Sequence, residues 1–75
     1  MKIYFSRHAR RRAKLYRIPE QEIEDVLRKI ELADGKHEFV KHIRDQNFPI
    51  KIIVSVKGEV VSVITNYPLK KGLKK

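Results

Sequence analysis

From Ile50 to Lys57 the chain alternates with a period of two, Ile50, Ile52, Val54 and Val56 against Lys51, Ile53, Ser55 and Lys57. That is the pattern of a strand with one buried face. Gly58 marks a turn, and residues 60–67 resume the alternation, so Val61, Val63 and Thr65 are expected to share a face with Ile52 and Val54 in a β-hairpin. The second face of the hairpin, with Lys51, Ile53, Ser55, Val60, Ser62 and Ile64, is mixed and is expected to be partly exposed, a surface suited to RNA or to a partner. Upstream, residues 37–44 read as another strand with Phe39 and either Val40 or Ile43 buried, followed by a turn at Asp45, Gln46 and Asn47.

In the first half the period is helical. Ile23, Val26, Leu27 and Ile30 fall at i, i+3, i+4 and i+7. Pro19 suits the first turn of that helix, Glu20, Glu22 and Glu24 lie near its positive end, Arg28 and Lys29 lie near its negative end, and Asp34-Gly35 is the expected stop. Before it, residues 2–5 read as a short strand and Ser6 as the N-cap of a helix running to about Tyr16. Arg17-Ile18-Pro19 then breaks the helix, because the residue before proline is pushed out of the helical region. The expected order is β-α-α-β-β-β, an α+β domain built on a helical hairpin.

The first helix carries the chemistry. At about 100° per residue, His8, Arg12 and Tyr16 form one row. Ala9, Ala13 and Tyr16 make the stripe expected to pack on the protein, with Arg10, Lys14 and Arg17 pointing away. Residues 5–17 hold six cations and one histidine, and guanidinium groups bind phosphate oxygens in a bidentate fashion. Arg7, Arg10, Arg11 and Lys14 are therefore candidate nucleic-acid-binding residues. A histidine can serve as a general acid or base near neutral pH, which makes His8 a candidate, and Arg12, one turn on, is placed to hold a phosphate beside it.

Charge sharpens this picture. The chain of 75 residues carries a formal +9, yet residues 19–31 hold five acids against two bases, a local −3, which leaves +12 for the remainder. A field so divided implies an anionic partner on one face, with nucleic acid as the leading candidate. The length fits a single domain, residues 1–75, with residues 68–75 expected to form a frayed basic tail. With no cysteine there is no disulfide or thiolate site, and His37 and His42 have no carboxylate or cysteine in a ligand pattern, so no metal site is expected. Gly35, Gly58 and Gly72 occur singly, which excludes a phosphate-cradling glycine loop; no cofactor is expected. No apolar run reaches the ~18 residues of a membrane span and no signal peptide is evident, so a cytoplasmic protein without a membrane partner is expected.

The segments Phe5-Ser6-Arg7-His8-Ala9, Arg12 and Ile18, then the acidic helix and Val63-Ile64-Thr65-Asn66-Tyr67-Pro68, together resemble a small prokaryotic domain family that opens with F-S-x-H-A-x-x-R. That family is similar to the BrnT toxins and to the wider RelE/ParE toxin superfamily. The resemblance implies a helical hairpin packed on an antiparallel sheet. It also implies a toxin of a toxin–antitoxin system acting on RNA, on or off the ribosome, with an acidic antitoxin as partner. Carried over, it implies functional roles for His8, Arg12 and Tyr67. The leading reading is a metal-independent mRNA endoribonuclease with His8 as general acid or base, Arg12, Arg11 and Lys51 on the phosphate, and Tyr67 orienting base or phosphate. A second arginine that often follows Arg12 by four positions is here Tyr16, and the glycine usual before Ile18 is Arg17. A non-catalytic RNA- or ribosome-binding module and a toxin acting on a protein such as gyrase are the alternative readings.

Overall fold

The computed structural model describes residues 2–43, 46 and 48–69. In chain order the elements are β1 (Lys2–Phe5), α1 (Arg7–Leu15), α2 (Glu20–Arg28), β2 (Gly35–Lys41), β3 (Ile50–Lys57) and β4 (Val60–Pro68). The α+β class and the element order are those expected. The four strands form one sheet in the order β1-β4-β3-β2.

The sheet is mixed, where the resemblance implied an antiparallel one. β2, β3 and β4 pair antiparallel in sequence order, but β1 adds to the far edge of β4 in parallel, with Lys2 opposite Val60 and Phe5 opposite Val63. Period-two alternation reports which face a residue takes and not which way its neighbour runs. The first and last strands are neighbours, and everything between them acts as the crossover.

Ile50, Ile52, Val54 and Val56 are buried as expected, and with Val61, Val63, Phe5, Ala9, Ala13, Ile18, Ile23, Leu27 and Ile43 they make one hydrophobic core. All of it lies on one side of the sheet, beneath the two helices. β4 departs from the expected pattern at Ile64. Ile53 pairs with Thr65 while Val54 pairs with Val63, so Ile64 is an extra residue, a β-bulge. Beyond it the faces exchange: Thr65 sides with Ile53, away from the helices, and the fully buried position belongs to Asn66.

Ser6 fastens α1 to that bulge. Its backbone N–H donates to the Val63 carbonyl at 3.0 Å, and its hydroxyl donates to the Ile64 carbonyl at 2.8 Å. The same hydroxyl accepts the Ala9 N–H at 3.0 Å, the N-cap bond expected from the sequence. A backbone carbonyl turned out of the sheet ladder is thus satisfied by the residue that starts the helix. Ala9 and Ala13, small and almost wholly buried, let α1 lie close over β4.

The end of α1 is as defined as its start. The Ile18 N–H reaches back to the Ala13 carbonyl at 2.8 Å and the Arg17 N–H to Lys14 at 3.3 Å, the two bonds of a Schellman motif. Arg17 occupies the left-handed position of that motif with φ of 57°, a conformation ordinarily given to glycine. The residue that stands where the resembled family has glycine is therefore strained. Pro19 is the N-cap of α2 and lies just outside its first turn.

Other boundaries differ from expectation as well. α2 ends at Arg28 with Lys29 as its cap, and Gly35, with φ of 124°, opens β2 where it was expected to close the helix. Ile30 is half-buried just beyond α2. β2 ends at Lys41, short of the expected limit; Ile43 is buried, Val40 is 46% exposed on the opposite face, and Phe39 is half-buried on the helix side. Of the expected turn, Asp45 and Asn47 lie outside the described residues. Of the expected tail, Pro68 pairs with Ile50 as the last residue of β4 and the Leu69 N–H bonds to Pro49 at 2.8 Å, while residues 70–75 lie outside the described residues.

Two stability predictions result. Ser6→Ala removes a cap and strips the Ile64 carbonyl of its donor, and should destabilise the protein by about 2 kcal/mol in urea unfolding. Ser6→Asp keeps the cap but brings no donor to Ile64, so its midpoint should fall between those of Ser6→Ala and wild type. Arg17→Gly should raise stability by roughly 0.5–1 kcal/mol, the relief of left-handed strain exceeding glycine's unfolded-state entropy; an unchanged or lower midpoint would contradict the Schellman geometry.

Candidate nucleic-acid interface

The outer surface of α1 is a field of cations. Arg7, Arg10, Arg11 and Lys14 are exposed, as is His8, and the first turn contains no acid. Arg7 is spaced i, i+3 and i, i+4 from Arg10 and Arg11, and Lys14 is spaced likewise from Arg11 and Arg10. Like-charge pairs at these spacings each cost a helix about 0.2–0.5 kcal/mol. Arg10 has partial relief from Glu20 of α2 at 3.6 Å, a pair largely open to water.

Along the flank of α1, Arg12 is half-buried and its Nη1 donates to the Tyr16 hydroxyl at 3.4 Å. His8 lies one turn earlier on the same row. Tyr16 thus acts as an orienting contact for Arg12. The packing stripe is as expected, with Ala9 and Ala13 buried and Tyr16 packed against the core.

Lys51 and Tyr67 are cross-strand partners in β3 and β4. Because Ile50, Ile52 and Asn66 beside them point into the core, Lys51 and Tyr67 face away from both helices. Lys51 Nζ is 3.2 Å from Glu38 Oε1 of β2 on that same face. The eight predicted residues therefore fall into two groups: His8, Arg12, Arg7, Arg10, Arg11 and Lys14 on the helix layer, and Lys51 with Tyr67 on the helix-free side of the sheet. Among the described residues, no group of three or more His, Asp or Glu side chains gathers to hold a metal. A groove of about 670 Å³ lies by the β3–β4 turn, floored by Ile30, Leu32, Val56 and Val61 and rimmed by Arg28, Glu31 and Glu59; none of the predicted residues lines it.

Asn66 was not anticipated. It is fully buried beneath α1, its Nδ2 donates to the Ala9 carbonyl at 3.4 Å, and its Oδ1 has no partner. It ties the start of α1 to β4 a second time, downstream of the Ser6 clip. Its burial depends on the bulge at Ile64, which the regular alternation conceals.

Comparison of the chain with protein-family models, with curated proteins and with solved structures finds no match.

Asn66→Val should raise stability by about 1 kcal/mol, since it removes an unpaired buried acceptor at the cost of one long hydrogen bond. The Ala9 carbonyl still faces the helix's own ladder. Destabilisation in thermal or urea unfolding would show instead that the bond to Ala9 is the stronger term.

Proposed function

We propose that this protein is an RNA-binding domain of the toxin-like class, gripping the phosphate backbone with the outer face of α1. The observation that carries the reading is the concentration of Arg7, Arg10, Arg11 and Lys14, exposed on one nine-residue helix with no acid in its first turn. A helix that repels itself in isolation gains most from a polyanion, and neutralising phosphates releases the counterions condensed on the nucleic acid. The fold of two helices on one side of a four-stranded sheet agrees with the RelE/ParE-like resemblance at the level of class and element order. On this reading an acidic antitoxin covers α1 when the protein is held inactive, and the ribosome is one place where the RNA is met.

A second reading, cleavage, is favoured by His8 standing exposed one turn from Arg12. In that scheme His8 takes the proton of a ribose 2′-hydroxyl, the 2′-oxygen attacks the adjacent phosphorus, and the bond to the 5′-oxygen breaks. The departing oxygen is protonated by solvent, and the products are a 2′,3′-cyclic phosphate and a 5′-hydroxyl. Arg12 and Arg11 stabilise the charge that builds on the phosphorane.

Binding to single-stranded RNA should weaken steeply with salt. Replacing Arg7, Arg11 and Lys14 together by Gln should lower the magnitude of the log–log slope by about 2, at roughly 0.7 per phosphate contact. An unchanged slope would remove α1 as the phosphate surface. With end-labelled mRNA, with and without translating ribosomes, discrete cuts lost in His8→Ala and Arg12→Ala would establish cleavage. Intact RNA retained in a salt-sensitive complex would establish the binding module.

A further inference from the structure

We propose that the helix-free face of the sheet is a stacking platform for the bases of single-stranded RNA, with Tyr4 and Tyr67 as the stacking residues. The proposal rests on the RNA-binding reading above and adds to it a second surface, on the opposite side of the domain from α1.

The placement comes from the register. Tyr4 of β1 is opposite Ser62 of β4, Thr65 opposite Ile53, and Tyr67 opposite Lys51, which is in turn opposite Val40 of β2. All these residues point away from the helix layer, and no described element covers them. Tyr4 is 53% exposed and Tyr67 is half-buried, so each leaves part of its ring open. On β4, Tyr67 and Ser62, the partner of Tyr4, are opposite Lys51 and Ser55 of β3, four residues or about 13 Å apart at ~3.3 Å per residue, far enough for the two rings to engage different bases of one strand. Ser62 and Thr65 supply hydroxyls between them.

Charge complementarity decides the occupant. The face carries Lys2, Lys36, Lys51 and Lys57 against a single acid, Glu38, which is already engaged with Lys51. Lysines on β1 and β2 serve to blunt the exposed edges of a sheet. That explanation does not extend to Lys57, which lies on β3, an interior strand, beside Lys51 with its partner Glu38. A positively charged, flat surface with exposed aromatic rings is the arrangement by which proteins hold unpaired nucleotides, phosphates near the cations and bases on the rings. A duplex, whose bases are already stacked, has no use for the rings.

The test is titration of a short fluorescent oligouridylate with the full chain, followed by anisotropy at several salt concentrations. Tyr4→Leu and Tyr67→Leu should each weaken binding about tenfold with the salt slope unchanged, because stacking releases no counterions. Tyr4→Phe and Tyr67→Phe should bind within about twofold of wild type, since the ring is kept. Unfolding midpoints of the four variants verify that each is folded. If the leucine variants bind as tightly as wild type while the α1 substitutions weaken binding, the platform is overturned and the RNA reading stands. Should the phenylalanine variants lose as much as the leucine variants, the hydroxyls and not the rings make the contact, and stacking is overturned. A wild-type chain that fails to bind the oligonucleotide at low salt removes the RNA reading and the platform with it. Resonances of Tyr4 and Tyr67 that shift with an acidic peptide but not with the oligonucleotide would assign the face to a protein.

Discussion

The hydroxyl of Ser6 holds two parts of the fold to each other. It completes the first turn of α1 by accepting the Ala9 N–H and, with its own proton, satisfies the carbonyl of Ile64, the residue that breaks the regular ladder of β4. Without the bulge, the residues after Val63 would keep their simple alternation, Thr65 facing the core and Asn66 facing out. With it, Asn66 lies buried against the underside of α1, and Thr65 and Tyr67 turn to the open face. One extra residue thus decides which side chains of the last strand belong to the helix layer and which to the opposite surface.

The consequence is a domain with two chemically different sides. The helix side presents arginines on α1 and, beside them, the acidic α2, joined across their outer surfaces by Arg10 and Glu20. The sheet side carries tyrosines, short hydroxyl side chains and lysines. The core between them is formed by Phe5 of β1 and aliphatic residues of β3, β4 and both helices, with Phe39 of β2 packed against it. Its small size makes local devices matter: a cap at Ser6, a Schellman turn forced through Arg17, and a buried Asn66 with one unpaired oxygen. Two of these three carry an energetic cost, which in a chain this short is a notable share of the whole.

The hydrophobic pattern made much of this legible. The alternation of Ile50 to Val56 and the spacing of Ile23, Val26 and Leu27 are strong signals because burial enforces them, and Ser6 was readable as a cap because a hydroxyl stood immediately before the helical stripe. Strand direction was not legible, since parallel and antiparallel neighbours impose the same period; hence β1 beside β4 came as a correction. The bulge was hidden as well, because Val63, Ile64 and Thr65 are all β-branched and no glycine marks the irregularity. That one miss concealed both the burial of Asn66 and the full composition of the open face. On the candidate site, the cations of α1 were legible from spacing alone. The grouping of Tyr67 with His8 and Arg12 came from the resemblance, and the register instead sets Tyr67 beside Lys51.

The most direct measurement is of nuclear Overhauser contacts from the Asn66 side-chain amide and from the Tyr67 ring in the isotopically labelled protein. The account predicts contacts from the Asn66 amide to Ala9, and from the Tyr67 ring to Lys51 with none to Ala9 or Ala13. A Tyr67 ring in contact with Ala9 or Ala13, with the Asn66 amide open to solvent, would contradict the bulge and the division of the two faces that depends on it.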